Sequence, residues 1–212
     1  MSLDKGFRPE EVEASINGVQ TAYDSLMDAI ATQMQNQFVN GMQDKWACNQ
    51  AIKFFGEFKT IIDSIITNSN ITFESVVESM NSAARLWAER TETSWGGKSF
   101  NKIEQKINVE CIQENIANER GIDTTATTVS AKLPEIAASA EQALTAAQKA
   151  VSECGFIDVT ESGNLQQSLE EIKTSITNAT TDLTDSCKNA IDSTVEQYTE
   201  VSNRIATAFA GQ

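Results

Sequence analysis

Residues 165–209 read LQQSLEEIKTSITNATTDLTDSCKNAIDSTVEQYTEVSNRIATAF and contain neither glycine nor proline. Apolar or small side chains recur in this stretch at steps of three and four, which is the spacing of one face of an α-helix. At about 1.5 Å per residue such a helix is roughly 67 Å long, so only other long helices can cover its face. That face consists of Leu165, Leu169, Ile172, Ile176, Ala179, Leu183, Cys187, Ala190, Thr194, Tyr198, Val201, Ile205 and Ala208.

Two N-terminal stretches have the same periodicity. A first helix is predicted from Pro9, because proline in the first turn followed by the acidic Glu10 and Glu11 is typical of a helix start. Its inward face is Val12, Ile16, Val19, Tyr23, Leu26, Ile30, Met34, Phe38 and Met42. A second helix is predicted over about 50–94, with the face Ala51, Phe55, Phe58, Ile62, Ile65, Ser69, Phe73, Val76, Met80, Ala83 and Trp87.

The third segment is less regular. A short helix fits Ile103, Ile107, Cys111 and Ile116, and a longer one fits Leu133, Ile136, Ala140, Ala143, Ala147 and Val151. A single helix over 101–154 would be about 80 Å long and would overshoot its neighbours. We therefore predict a break at 120–132.

These segments predict an all-α fold, an elongated up-down four-helix bundle made of two long antiparallel helical hairpins. Residues 1–97 form the N-terminal hairpin, and residues 98–212 form a C-terminal hairpin that packs on it in the same bundle. The joints are predicted at 43–49, 95–100 and 155–164.

The charge of the chain limits its partners. Sixteen lysines and arginines stand against 30 acidic residues, for a net charge of −14. Such a surface repels nucleic-acid phosphates and anionic lipids, so we expect neither nucleic-acid binding nor electrostatic membrane docking. The most apolar stretch, 61–73, is too short to span a bilayer. Without a recognisable signal peptide, we expect export by a route that needs no cleaved signal or, alternatively, a cytoplasmic protein.

The composition is unfavourable for catalysis. Histidine, the commonest general base and metal ligand, is absent, and the four cysteines form no Cys-x-x-Cys pair. Gly97-Lys98-Ser99 resembles the end of a phosphate-binding loop, but Glu92 stands where that loop needs its first glycine, and a predicted helix precedes it. We therefore expect a non-enzymatic protein with no catalytic residue, cofactor, metal or small-molecule substrate.

The cysteines leave two interpretations open. In the predicted topology Cys48 and Cys154 lie at the same end of the bundle, where a disulfide between them is possible. Cys111 and Cys187 differ in height by about 18 Å, too far for a bridge. Buried free thiols are the alternative for all four.

The joint after the first helix carries the most specific pattern in the chain. Arg8–Val12 reads RPEEV, and the joint reads DKWACNQA over 44–51 and is followed by Phe54-Phe55. This layout resembles the WXG superfamily, the early secreted antigen proteins of type VII secretion, which form helical hairpins with Trp-x-Gly in the turn. The resemblance places the turn motif at Trp46, Cys48, Ala51 and Phe55, with cysteine in the position where glycine is usual.

The literal Trp-x-Gly of the chain, Trp95-Gly96-Gly97, lies where a family member ends. We interpret it as the linker to the second hairpin, and a turn under a different pairing of helices is the alternative. The export motif Tyr-x-x-x-Asp/Glu of type VII substrates is absent or degenerate, since Tyr198 is followed at the fourth position by Ser202.

The resemblance implies a secreted protein that acts through protein–protein contact, with the secretion machinery or a paired helical protein as partner. Known members often pair into four-helix dimers, so this chain is expected to be either a monomer that mimics such a dimer or a homodimer. The alternatives are a structural or adaptor coiled-coil bundle and a pore-forming helical toxin, for which 61–73 is the candidate segment.

Overall fold

The computed structural model of the chain describes residues 7–114, 121–123 and 125–210. This part is mostly helical, and its only strands are two of two residues each. The predicted all-α class is confirmed.

The first helical stretch begins where it was predicted and contains a long π-helical insert. Helix α1 spans Pro9–Met27, a π-helical segment follows over Asp28–Val39, and α2 spans Asn40–Met42. In the π segment the turn is wider, so side chains five residues apart meet, as where Gln33 Nε2 donates to Asp28 Oδ2 at 2.7 Å. Spacings of three and four predict a helix here but do not reveal the wider turn.

The chain then reverses. Strand β1 is Trp46–Ala47, and α3 spans Asn49–Arg90. The two helical stretches run antiparallel, because Phe38 packs on Phe55 near the turn and Tyr23 packs on Phe73 farther from it, at ring-centroid distances of 5.5 and 5.3 Å.

The second half contains the shorter elements. Helix α4 is Glu110–Glu114, strand β2 is Gly121–Ile122 and helix α5 is Ala126–Ser130. The predicted break at 120–132 therefore exists, although it holds a strand and a short helix rather than a plain loop. Strand β2 pairs antiparallel with β1, with Trp46 opposite Ile122 and Ala47 opposite Gly121.

Two long helices complete the chain. Helix α6 spans Lys132–Ser152 and α7 spans Val159–Ala210. The joint between them is shorter than the predicted 155–164, because α7 begins at Val159 and carries Gly163 within its first turns.

The short helix predicted through Ile103 and Ile107 is wrong, because residues 93–109 contain no helix. Cys111 does lie in α4, and Ile116 is outside the described residues. We call residues 98–109 the strap. Side chains of α1, the π segment and α3 hydrogen-bond its backbone, which removes the need for helical bonds of its own.

The strap changes the direction of the helices that follow. Extended chain rises about 3.3 Å per residue against about 1.5 Å in a helix, so 93–109 covers roughly the length of α3 in far fewer residues. Helices α5 and α6 then run back along the first helical stretch: Gly41 of α2 lies against Val129 of α5, and Gly18 of α1 lies against Ala150 of α6, where an added Cβ would be 3.0 and 3.2 Å away. The predicted third helix had the opposite direction.

This reversal rules out the disulfide between Cys48 and Cys154 that the predicted topology allowed. Cys48 lies at the start of α3 beside Thr194, whereas Cys154 precedes Phe156, whose carbonyl oxygen accepts a hydrogen bond from Trp87 near the end of α3. The two cysteines are therefore at opposite ends of a helix about 63 Å long. All four cysteines are free.

One hydrophobic core runs through these elements, from Val12 in α1 to Ile191 in α7. Its largest fully buried side chains are Trp46, Tyr23, Phe38, Phe55, Phe58 and Phe73.

Candidate functional site

The Trp46 turn is extended and unstrained at the position where the WXG pattern has glycine. Cys48 has φ −159° and ψ 174° and directly precedes α3. Any residue adopts such a conformation, so this turn has no need of glycine. Ala51 and Phe55 follow in the first turns of α3, and both are buried.

Trp46 itself is fully buried and joins the turn to α7. Its indole Nε1 donates to Thr194 Oγ1 at 3.2 Å, and the Thr194 hydroxyl donates in turn to the carbonyl oxygen of Ala190 at 2.7 Å. The indole ring packs on Phe54 and Phe55 at centroid distances of 5.7 and 6.0 Å. Trp46 is thus a packing residue that fixes where α7 passes the turn.

Beyond this contact α7 leaves the core. Gln50 Nε2 donates to Gln197 Oε1 at 2.6 Å, and every α7 residue from 195 onward whose burial the structure describes is exposed. The exposed residues include four large apolar side chains, which we call the C-terminal stripe: Val195, Tyr198, Val201 and Ile205, between 41% and 53% exposed.

The C-terminal stripe continues the buried face of α7. Ile191 and Thr194 are buried, and Tyr198 follows one helical turn later on the same side. Trp46 and Tyr198 therefore lie near each other, although their sequence positions are far apart. Sequence periodicity alone predicted this stretch to be packed like the rest of the face.

Trp95, Gly96 and Gly97 lie at the opposite end of α3. They belong to a non-helical linker between α3 and the strap, in which Gly97 has φ 78°. Trp95 is partly buried, and its Nε1 donates to Asn81 Oδ1 at 3.1 Å. This segment is geometrically unlike the Trp46 turn.

The strap is held by side-chain amides of the long helices. In each of three cases one Asn or Gln amide accepts a hydrogen bond from a strap backbone N–H and donates to the carbonyl oxygen of the same residue. All six distances are between 2.8 and 3.1 Å, which is normal for N–H···O bonds. The pairs are Asn81 with Lys98, Gln20 with Asn101 and Gln35 with Asn108.

Ile103 of the strap is held by two side chains together. Its N–H donates to the Tyr23 hydroxyl at 2.7 Å, its carbonyl oxygen accepts from Asn70 Nδ2 at 3.0 Å, and Tyr23 donates to Asn70 Oδ1 at 2.7 Å. Burial raises the pKa of the Tyr23 phenol above its ordinary value of 10.0, so the hydroxyl keeps the proton that it donates.

An ion pair between Lys59 and Asp63 holds the buried strap residue Ile107. The Ile107 N–H donates to Asp63 Oδ1 at 2.9 Å, and Lys59 Nζ donates to the Ile107 carbonyl oxygen at 2.5 Å. Lys59 and Asp63 also bond each other at 2.7 Å. Five residues of the strap therefore have both backbone groups bonded by side chains of the first helical stretch and α3, and we call the space between these helices the strap groove.

Sequence analysis missed this arrangement. One signal for it was negative, since the segment 101–116 had the weakest helical periodicity. A second signal was present but not used: Asn70 and Asn81 are polar residues close to the apolar face of α3, and the structure buries both.

Within the described residues no three metal-ligating side chains form a cluster. A surface groove of about 650 Å³ lies beside the π segment, lined by Asp24, Ser25, Asp28, Gln33, Ser139, Gln142, Ala143 and Ala146. A smaller one of about 280 Å³ lies beside Trp87 and Phe156. None of the helices in the described part of the chain is long and apolar enough to cross a membrane.

The buried thiols are poor nucleophiles. Burial raises the pKa of Cys187 to about 12, and burial, partly offset by backbone hydrogen bonds, raises that of Cys154 to about 12. The reactive form is the thiolate, so both groups are protonated and unreactive at neutral pH.

No protein-family model matches this chain, and neither a curated protein nor a solved structure does so.

Proposed function

We propose that this chain is a secreted, non-enzymatic helical protein of the WXG kind that acts through protein–protein contact at its Trp46 end. The proposal combines the RPEEV start and the DKWACNQA turn with the proximity of Trp46 and Tyr198. The absence of histidine from the whole sequence supports a binding role over an acid–base enzyme.

The architecture that we propose is an elongated four-helix bundle in which each helix is antiparallel to its two neighbours. The supporting contacts are α1 on α3 and α6, and α7 on α3 and α6. Because the strap adds a reversal, successive helices run up, down, down and up. We place the boundary between an N-terminal hairpin, 1–97, and a C-terminal hairpin, 98–212, at Gly97, whose positive φ is typical of a linker.

The C-terminal stripe is the observation that carries the functional proposal. Isolated exposed apolar residues are common on soluble proteins, but Val195, Tyr198, Val201 and Ile205 lie on one side of one helix. They continue a face that is packed along the rest of α7. A helical partner that lies along this face continues the same packing, which favours the secretion machinery or a paired helical protein as the ligand.

Export is tested in a producing cell with an active type VII system. We expect the protein in the culture medium of the parent strain and its retention in the cells after deletion of the secretion ATPase. Tyr198→Ala and Val201→Ser should lower export, whereas Thr207→Ala, on the same exposed end but outside the stripe, should not. Equal amounts in the medium with and without the ATPase would exclude the type VII proposal.

The second candidate is an adaptor bundle that remains in the cytoplasm. The same stripe favours it, since a docking helix serves an adaptor as well as an exported protein. A protein found only in the cytosol, whose partner binding is lost in Val201→Ser, supports this alternative.

A further inference from the structure

We infer that residues 98–210 exchange between two copies of this chain, so that the strap, α6 and α7 of one copy pack on the α1–α3 hairpin of the other. The occupant of the groove between α1 and α3 is then the strap of a second copy.

The strap groove between α1 and α3 bonds backbone groups of the strap, and the strap of a second copy has the same backbone groups. The strap groove bonds the backbone of Lys98, Asn101, Ile103, Ile107 and Asn108. A strap from a second copy makes every one of these bonds, and its Phe100, Ile103, Ile107 and Val109 fill the same apolar positions. The cost of leaving the groove's polar groups unpaired therefore does not arise in the exchanged form.

The covalent link between the exchanging parts is the short segment 91–97. Most of it is exposed, and it contains both described residues with a positive φ, Glu92 at 54° and Gly97 at 78°. A glutamate disfavours this conformation, since the side chain crowds the backbone. In the monomer the Thr93 N–H bonds the Ala88 carbonyl oxygen at 3.0 Å and closes the end of α3 around Glu92. When Glu92 takes a helical φ instead, this bond opens, α3 continues into the segment and the strap starts farther from its own hairpin.

Seven extended residues reach about 23 Å, so the segment can bridge a gap of up to that width between two copies. Exchange of an identical unit through a short strained hinge is a recognised low-cost route to a dimer. The contacts between the two units are the same in both forms, and the contacts of the hinge, such as that of Trp95 Nε1 with Asn81 Oδ1, are the ones that change. The hinge conformation and the protein concentration therefore set the balance between monomer and exchanged dimer.

Two hinge variants test this inference with one matched control. Gly97→Ala places a side chain at a positive φ in the monomer and should raise the dimer association constant roughly tenfold, because an extended hinge removes the strain. Glu92→Gly relieves the strain in the monomer and should lower that constant. Gly96→Ala is the control, since nothing lies within 4 Å of the Cβ it adds and its φ is not positive. Light scattering after size-exclusion chromatography measures the dimer fraction.

A natural ion pair reports which copy holds the strap. Lys98 Nζ lies 2.5 Å from Glu13 Oε1, so a carbodiimide joins the two side chains without a spacer. Isotope-labelled and unlabelled chains are unfolded together, refolded at millimolar concentration and cross-linked, and the dimer fraction is analysed by mass spectrometry.

We expect about half of the Lys98–Glu13 links in the dimer to join a labelled to an unlabelled chain. If every Lys98–Glu13 link in the dimer joins two residues with the same label, the strap stays in its own chain. The dimer then forms elsewhere, for example through the C-terminal stripe, and the inference is overturned. The unsubstituted protein is analysed in parallel in case Gly97→Ala does not fold. The absence of mixed links in both proteins also overturns it.

Discussion

Trp46 and Thr194, 148 positions apart in the chain, are joined by a hydrogen bond of 3.2 Å from the indole N–H to the threonine hydroxyl. Both residues are fully buried. The bond connects the turn between α2 and α3 to the last helix, α7. It lies one helical turn from the exposed Tyr198.

Replacing Thr194 with valine removes this acceptor while keeping the shape of the side chain. The buried indole N–H is then unsatisfied, so the free energy of unfolding should fall by about 1–3 kcal/mol. Thr207→Val is the control: Thr207 is exposed on the same helix, and its effect should stay within about 0.5 kcal/mol. Urea unfolding followed by circular dichroism measures both, and equal effects would contradict a structural role for the Trp46–Thr194 bond.

Replacing Asn81 with alanine should loosen the start of the strap. The Asn81 side chain bonds both backbone groups of Lys98 and the indole of Trp95, so its loss should cost about 1–3 kcal/mol. Hydrogen exchange should accelerate at the Lys98 amide. Asn178→Ala, on an exposed position of α7, should change neither quantity. Unchanged exchange at the Lys98 amide in Asn81→Ala would show that Asn81 does not hold the strap.

Because the thiols of Cys154 and Cys187 are buried, we expect the free energy of unfolding to fall at alkaline pH. The folded-state pKa values of Cys154 and Cys187 are raised to about 12 from an ordinary 9.0. Their contribution is therefore complete below pH 9 and is lost as the pH rises from about 9 towards 12, by roughly 1.4 kcal/mol per thiol and pH unit.

Urea unfolding at pH 8 and at pH 10 measures this loss. Tyrosines and lysines also titrate at alkaline pH, so the variant Cys154→Ala/Cys187→Ala is the reference. Its stability should fall less steeply than that of the unsubstituted protein, and identical slopes would show that the thiols are not responsible.

Charge placed on the C-terminal stripe should not unfold the protein. Val201→Glu and Ile205→Glu change residues that are 53% and 52% exposed, so the free energy of unfolding should shift by less than about 0.5 kcal/mol. Ile176→Glu buries the same carboxylate in the core and should cost more than about 3 kcal/mol. Thermal unfolding compares the three variants, and strong destabilisation by Val201→Glu would show that the stripe is covered in solution.

Local periodicity was sufficient to predict the long helices. The apolar faces of α1, α3 and α6, and that of α7 as far as Thr194, lie where their spacing of three and four placed them, and the chain reverses at Trp46 as predicted. The strap was not predictable in this way. Its backbone groups are bonded by Asn, Gln, Asp, Lys and Tyr side chains that are distant in sequence, and these bonds replace the helical ones.

The strap also decided the direction of α6 and α7, and with it the separation of Cys48 from Cys154. The wrong prediction of a helix in this one segment therefore reversed the predicted directions of two long helices, although their positions in the sequence were close to the predicted ones.

The sequence by itself determined the all-α class and the helical faces, since both depend on side-chain spacing along a few turns. Only the tertiary structure decided that residues 98–109 are extended, that Trp46 meets Thr194 and that the apolar face of α7 continues past its covering helices. Those features depend on which distant groups satisfy the backbone and bury the side chains, and no local pattern contains that information.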